Sequence, residues 1–256
     1  MSTKSLLTGL TLTLLAASAQ ASVAPDRTRV IFNGDKKSVV VTLRNDSDVA
    51  PYLAQSWIED GNRNKISEPM APLPPLQRIE PKDKGQVKIQ LTSATNSLPQ
   101  DRESMFYFVV REIPQQSSNK NVSALQFALQ SRIKIFYRPP EVVKQLDELH
   151  PWQYKTTLTR SGDSYQVTNP TPWYVVLVEA KDRKGGKRVP GFKTVSVPPF
   201  SDRSLGVSAT ALGATPVLSY VNDYGGILPL VFDCSGTACT VNEAQSRTKN
   251  LVGNKS

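Results

Sequence analysis

Leu125-Gln126-Phe127-Ala128-Leu129-Gln130-Ser131-Arg132-Ile133-Lys134-Ile135-Phe136-Tyr137 is the stretch from which the fold is read. Its odd positions carry Leu, Phe, Leu, Ser, Ile, Ile and Tyr, and its even positions Gln, Ala, Gln, Arg, Lys and Phe. A period of two marks a strand with one buried face, because successive side chains leave a strand on opposite sides. Strands rarely exceed about 10 residues, so this one is expected to outreach the sheet that houses it. A surplus apolar edge of that kind invites pairing with another chain.

The same pattern recurs on both sides. Upstream, Val39, Val41 and Leu43 alternate, as do Val87, Ile89 and Leu91, while Met105 to Val110 is apolar on both faces like a strand covered on both sides. Tyr52 to Ile58 is a strand candidate whose Trp57 is expected in the core. Glu68 to Pro75 carries Pro69, Pro72, Pro74 and Pro75, cannot be an inner strand, and reads as an ordered loop. Downstream, Arg138-Pro139-Pro140 stops the long strand and forms a stiff connection. Glu141 to Leu149 could make a short helical turn. Strand candidates then resume at Tyr154 to Thr159, Tyr165 to Thr168, Trp173 to Val178, Phe192 to Val197 and Ile227 to Phe232. No segment holds a helical period over several turns. The pattern predicts an all-β protein of two sandwich units.

The chain has 256 residues, enough for two such units. It opens with a secretory signal: Lys4, an apolar run from Leu6 to Ala17, and Ala19-Gln20-Ala21 as a small-residue cleavage site. That run is too short to span a membrane, and no later stretch qualifies. The expected division is a signal over 1–21, a first unit over 22–140, a second over 141–243 and a disordered polar tail over 244–256. The only cysteines, Cys234 and Cys239, are close in sequence, and in an exported chain they read as a disulfide that pins a final hairpin. The net charge of +9 falls to +8 once Lys4 leaves with the signal. Basic and acidic residues are interspersed without the basic run that binds nucleic acid.

No constellation for catalysis is visible. The single histidine, His150, stands before a proline without a nucleophile motif around it. Gly185-Gly186 and Gly225-Gly226 are turn glycines, not a phosphate cradle. Two methionines and one histidine after the signal are too few for copper handling, and two cysteines with one histidine are too few for zinc. No metal and no cofactor is expected.

Several strings agree with one known family: Asp26-Arg27-Thr28-Arg29, Pro51-Tyr52-Leu53-Ala54-Gln55-Ser56-Trp57, Leu98 to Phe108, Arg111-Glu112-Ile113-Pro114, Ile133 to Pro139, and Asn222-Asp223-Tyr224-Gly225-Gly226. Together they resemble a periplasmic chaperone of the chaperone–usher pathway, of the P-pilus type and the short-loop branch. The resemblance implies two immunoglobulin-like sandwiches set at an angle with a cleft between them. It implies that Arg29 and Lys134 grip the C-terminal carboxylate of a pilus subunit. Leu125, Phe127 and Leu129 would be lent to a subunit whose sandwich lacks its last strand, and Glu103, Arg138 and Asp223 would form an inter-domain charge network. It also implies a cis bond at Leu73-Pro74, delivery to an outer-membrane usher, no membrane insertion, and room for a self-dimer of the free chaperone. Lys134 lies C-terminal to Leu129, so a guest held by its C-terminus would run parallel to the long strand. Val109 departs from the family pattern, which commonly carries Asn there. The rival class is a two-domain adhesion or carbohydrate-binding module using surface aromatics such as Trp152 or Trp173.

Overall fold

The computed structural model describes residues 22–115, 128–147 and 149–247. The signal segment, Leu125 and Phe127, the loop beyond Gln115 and the last residues of the tail lie outside the described residues. Strands dominate, and no helix among the described residues is long and apolar enough to cross a membrane.

The first sandwich contains β1 (Val23–Pro25), β2 (Arg29–Asn33), β3 (Ser38–Asn45), β4 (Tyr52–Glu59), β5 (Lys65–Ile66), β6 (Met70–Leu73), β7 (Leu76–Ile79), β8 (Lys84–Leu91), β9 (Ser104–Pro114) and β10 (Gln130–Arg138). A four-stranded sheet in the order β1-β3-β8-β6 packs on a six-stranded sheet in the order β2-β10-β9-β4-β5, with β7 also on β4. The alternation seen in sequence becomes the core: Val41 and Leu43, Val87 and Ile89, Phe108 and Val110, and Ile135 and Tyr137 are buried together with Val30 and Phe32. On β10 the odd positions face this core, so Arg132, Lys134, Phe136 and Arg138 face the other way.

One pairing is parallel. β2 runs alongside β10 with Arg29 opposite Lys134 and Asn33 opposite Arg138. β9 pairs with β10 along Gln130 to Tyr137 on the other side. Because β2 begins only at Arg29, Gln130 to Ile133 have no strand partner on that edge among the described residues.

The second sandwich contains β11 (Thr157–Ser161), β12 (Ser164–Asn169), β13 (Val175–Lys181), β14 (Val195–Val197), β15 (Ser201–Ser208), β16 (Val217–Val221), β17 (Ile227–Ser235) and β18 (Ala238–Val241). They follow the order β14-β13-β16-β17-β18-β11-β12-β15. β17 pairs with β16 through Ile227 to Val231 and with β18 through Phe232 to Ser235, so one strand serves both layers around a core that includes Leu158, Val167, Leu177, Leu218, Leu230 and Phe232. Cys234 and Cys239 are bonded across the β17–β18 hairpin, at the position expected.

Several expectations are corrected. Trp57 is not a core residue: Ala54, Ser56 and Ile58 turn inward, and Trp57 lies on the outer face with Lys65 Nζ 4.1 Å from its ring. Met70–Leu73, expected in a loop, is an edge strand on β8, where Pro72 costs no inner-sheet hydrogen bond. Cis bonds precede both Pro69 and Pro74. Tyr154 belongs to a 3-10 turn (Trp152–Lys155), and the strand starts at Thr157. Ala244 to Ser246, expected in a disordered tail, are ordered: Glu243–Ser246 forms a helical turn capped by Asn242, with Ser246 Oγ accepting from the Val231 amide at 2.9 Å.

Candidate functional site

The C-terminal end of β10 is tied to the second sandwich, where Phe136 and Arg138 line a small cavity with Arg29, Tyr174, Val176 and Val221. Arg138, 2 % exposed, donates from Nε to Glu103 Oε1 and from both Nη atoms to Asp223, at 2.6 and 2.7 Å. Asp223 lies in the β16–β17 turn, so this guanidinium bridges the two sandwiches. Glu103 adds two more links: its Oε2 accepts from the Tyr174 amide at 2.6 Å, and its own amide donates to the Pro172 carbonyl at 2.8 Å. Burial pushes the Glu103 carboxyl up to about 7 against the pull of Arg138. Burial alone would lower the Arg138 pKa, but the Asp223 hydrogen bonds and the Glu103 charge outweigh it and raise it. Phe136 packs on Tyr174 at 5.7 Å beside this network. Gly225, at φ +84, seats the turn against Thr28, whose Oγ1 would lie 2.7 Å from any added Cβ.

Beyond this junction, at the start of β2, two cations have no ion pair among the described residues. Arg29 is half-buried; one Nη donates to the Val221 carbonyl at 3.2 Å, and its buried Nε has no acceptor. Lys134 stands directly beside it on the neighbouring parallel strand and has no ion pair among the described residues. The two therefore stand side by side on one sheet. Burial, then the charges of Arg29 and Arg132, holds the Lys134 amine below its ordinary value, and burial lowers Arg29 as well. Two half-buried cations side by side, one with an idle N–H donor, have the chemistry to hold an anion. A carboxylate suits them, since it accepts from both.

The apolar partners expected on the long strand are only partly within view. Leu129 is half-buried, and its carbonyl accepts from the Glu112 amide at 3.0 Å; Leu125 and Phe127 are outside the described residues. The aromatics of the rival reading are not free platforms. Trp173 is 5 % exposed, Trp152 stacks on it at 5.3 Å, and Arg138 covers Trp152.

One cluster was not anticipated. Arg132 lies 3.2 Å above the Tyr107 ring and donates to Glu59 Oε2 at 2.7 Å, while Trp57 Nε1 donates to Glu59 Oε1 at 2.8 Å. Val109 is opposite both Arg132 and Trp57 and is fully buried on this outer face. The only hint in sequence was the even parity that Arg132 shares with Lys134.

Comparison with known proteins agrees with this architecture. Residues 22–143 match the family model of the pili and flagellar-assembly chaperone, PapD N-terminal domain, and residues 151–232 match that of the pili assembly chaperone PapD, C-terminal domain. The chain is 50% identical over 238 residues to "Probable fimbrial chaperone YfcS" of Escherichia coli K12, covering 93% of each. It is 42% identical over 226 residues to the chaperone protein PapD of Escherichia coli, covering 88% of this chain and 92% of that one. Among solved structures, the SafB chaperone in complex with the Salmonella enterica SafA pilin superposes with a TM-score of 0.72 at 25% identity, over 85% of this chain and 99% of that one. Two immunoglobulin-like sandwiches joined through a buried arginine, with matches along nearly their whole length, place this chain in the PapD family of pilus-assembly chaperones.

Proposed function

We propose that this chain acts in the periplasm on pilus subunits: it binds a subunit that lacks its last strand, lends it the long strand 125–137, and hands it to an outer-membrane usher. The observation that carries the reading is the unpaired cation pair of Arg29 and Lys134 at the point where β2 begins. A guest strand laid on the free edge of Gln130 to Ile133 occupies the lane that β2 vacates. Running parallel to β10, it ends head-on at Arg29, and its terminal carboxylate meets both cations. An antiparallel guest would bring its ammonium terminus there instead.

The free energy divides unequally. Burying the side chains of Leu125, Phe127 and Leu129 in a guest is worth about 1.5–3 kcal/mol each, or about 5–9 kcal/mol together before ordering costs. The ion grip adds little net attraction once desolvation is counted, and it sets register. No catalytic step and no nucleotide enters this role. Arg138, with Glu103 and Asp223, fixes the angle at which the second sandwich closes the cleft.

The test is co-expression with a pilus subunit. Lys134→Ala and Arg29→Ala should each give a folded protein that no longer protects the subunit from proteolysis. Undiminished subunit yield with both residues replaced would sink the grip.

A further inference from the structure

Lys134 has no ion pair among the described residues, although Glu59 shares its row of the sheet. Glu59, Tyr107, Lys134 and Arg29 form one row across β4, β9, β10 and β2. Directly opposed residues of neighbouring strands project from the same face, and strands are about 4.8 Å apart, so Glu59 and Lys134 are separated by two strand spacings. Extended glutamate and lysine side chains can close such a gap over the residue between them. That residue, Tyr107, is covered by the Arg132 guanidinium, which also holds Glu59 Oε2. Trp57 holds the other oxygen. The opposite flank repeats the arrangement: the carboxylate nearest Arg29 in effect, that of Asp223, has both oxygens taken by Arg138. Each neighbouring anion is thus occupied by an arginine of β10.

We propose that Arg132 is a positioning residue for the guest carboxylate: by occupying Glu59 and roofing Tyr107, it prevents Lys134 from being neutralised within its own sheet. The assignment rests on the cleft reading above. Arg132 does not have to touch the guest. It preserves a positive charge whose local partner would otherwise be Glu59, so the guest meets an open ammonium group instead of a closed ion pair. The net charge of this face of the sheet is unchanged by the arrangement; its distribution is what Arg132 decides.

Arg132→Gln, Glu59→Gln and the double variant separate this role from direct contact. The probe is a synthetic peptide of alternating apolar residues with a free C-terminal carboxylate, compared with its amidated twin; a second readout is the side-chain NMR titration of Lys134. Wild type should prefer the acid, and Lys134→Ala should not. Arg132→Gln should lose about five- to tenfold of that preference, the scale of a partly buried charge pair, and its Lys134 should titrate higher than in the double variant, which lacks the same Arg132 charge, because Glu59 pairs with it. Glu59→Gln alone should keep the preference, and the double variant should regain it. Arg132→Lys, which retains an ion pair to Glu59, should keep it too. A double variant as weak as Arg132→Gln, a wild-type preference in Arg132→Gln, or a loss in Arg132→Lys would overturn the proposal. If wild type ignores the difference between acid and amide, the cleft reading fails instead, and the Lys134 titrations alone still decide whether Arg132 keeps Glu59 away.

Discussion

The two sandwiches share a corner and differ at an edge. At the end of β3, buried Asn45 places Nδ2 within hydrogen-bond reach of the carbonyls of Ala50, Ile79 and Glu80, and its Oδ1 accepts from the Ser47 amide. At the end of β12, buried Asn169 does the same for Trp173, Val197 and Pro198, with Oδ1 accepting from Thr171. The edges part company. In the second sandwich β17 gives Ile227 to Val231 to β16 and Phe232 to Ser235 to β18, and its hairpin with β18 is clasped by Cys234–Cys239. In the first, β10 has strands on both sides only from Lys134 onward. One corner thus stands beside two different edges: a strand shared between two layers and clasped by a disulfide, and a strand whose first four residues have a partner on one side only because β2 begins at Arg29.

The largest way to break this comparison is Arg138→Ala. Removing one partner of a buried ion pair costs about 3–5 kcal/mol, and the two sandwiches should then melt as separate calorimetric transitions. A single undisturbed transition would show that the guanidinium does not couple them. Next in size, Asn45→Ala and Asn169→Ala each leave carbonyls without their donor; at about 1–3 kcal/mol for each buried group left unmet, losses of about 3 kcal/mol are expected from denaturant titration. Unequal losses would mean that the corners only look alike. Replacing Cys234 and Cys239 by Ser should cost about 2 kcal/mol, because the loop closed is short, and subunit capture should survive. The smallest effect on stability is at Lys134, and its sign is the sharpest test. Its folded pKa is depressed by burial and by Arg29 and Arg132. The free protein should therefore gain stability as pH climbs through that lowered value towards 10.5, while affinity for a carboxylate guest falls over the same span. Lys134→Met should flatten both slopes.

The strands that build the first core were legible because one face of each is wet: Val39 to Leu43 and Val87 to Leu91 alternate visibly. β16 was missed for the opposite reason. Val217 to Tyr220 are all buried, so no parity survives to be read. β15 is a mostly polar strand with one buried residue, Leu205, and gives an equally weak signal. Arg29, Lys134, Glu103, Arg138 and Asp223 came from the resemblance, not from periodicity, and the structure sets Arg29 directly against Lys134 and both carboxylates against Arg138. Glu59 with Arg132 was invisible, since 73 positions separate them and only the strand register brings them together. Trp57 misled because size alone suggested the interior, whereas its parity on β4 put it outside.

In the proposed binding mode, the start of β2 at Arg29 would also make the chaperone a ruler. A guest strand in that lane cannot slide past the residue that blocks it, so every position along the guest is counted backwards from its last residue. A subunit with one residue added to its tail would present the wrong face along its entire length. Selection can then act on the length of a tail as well as on its composition.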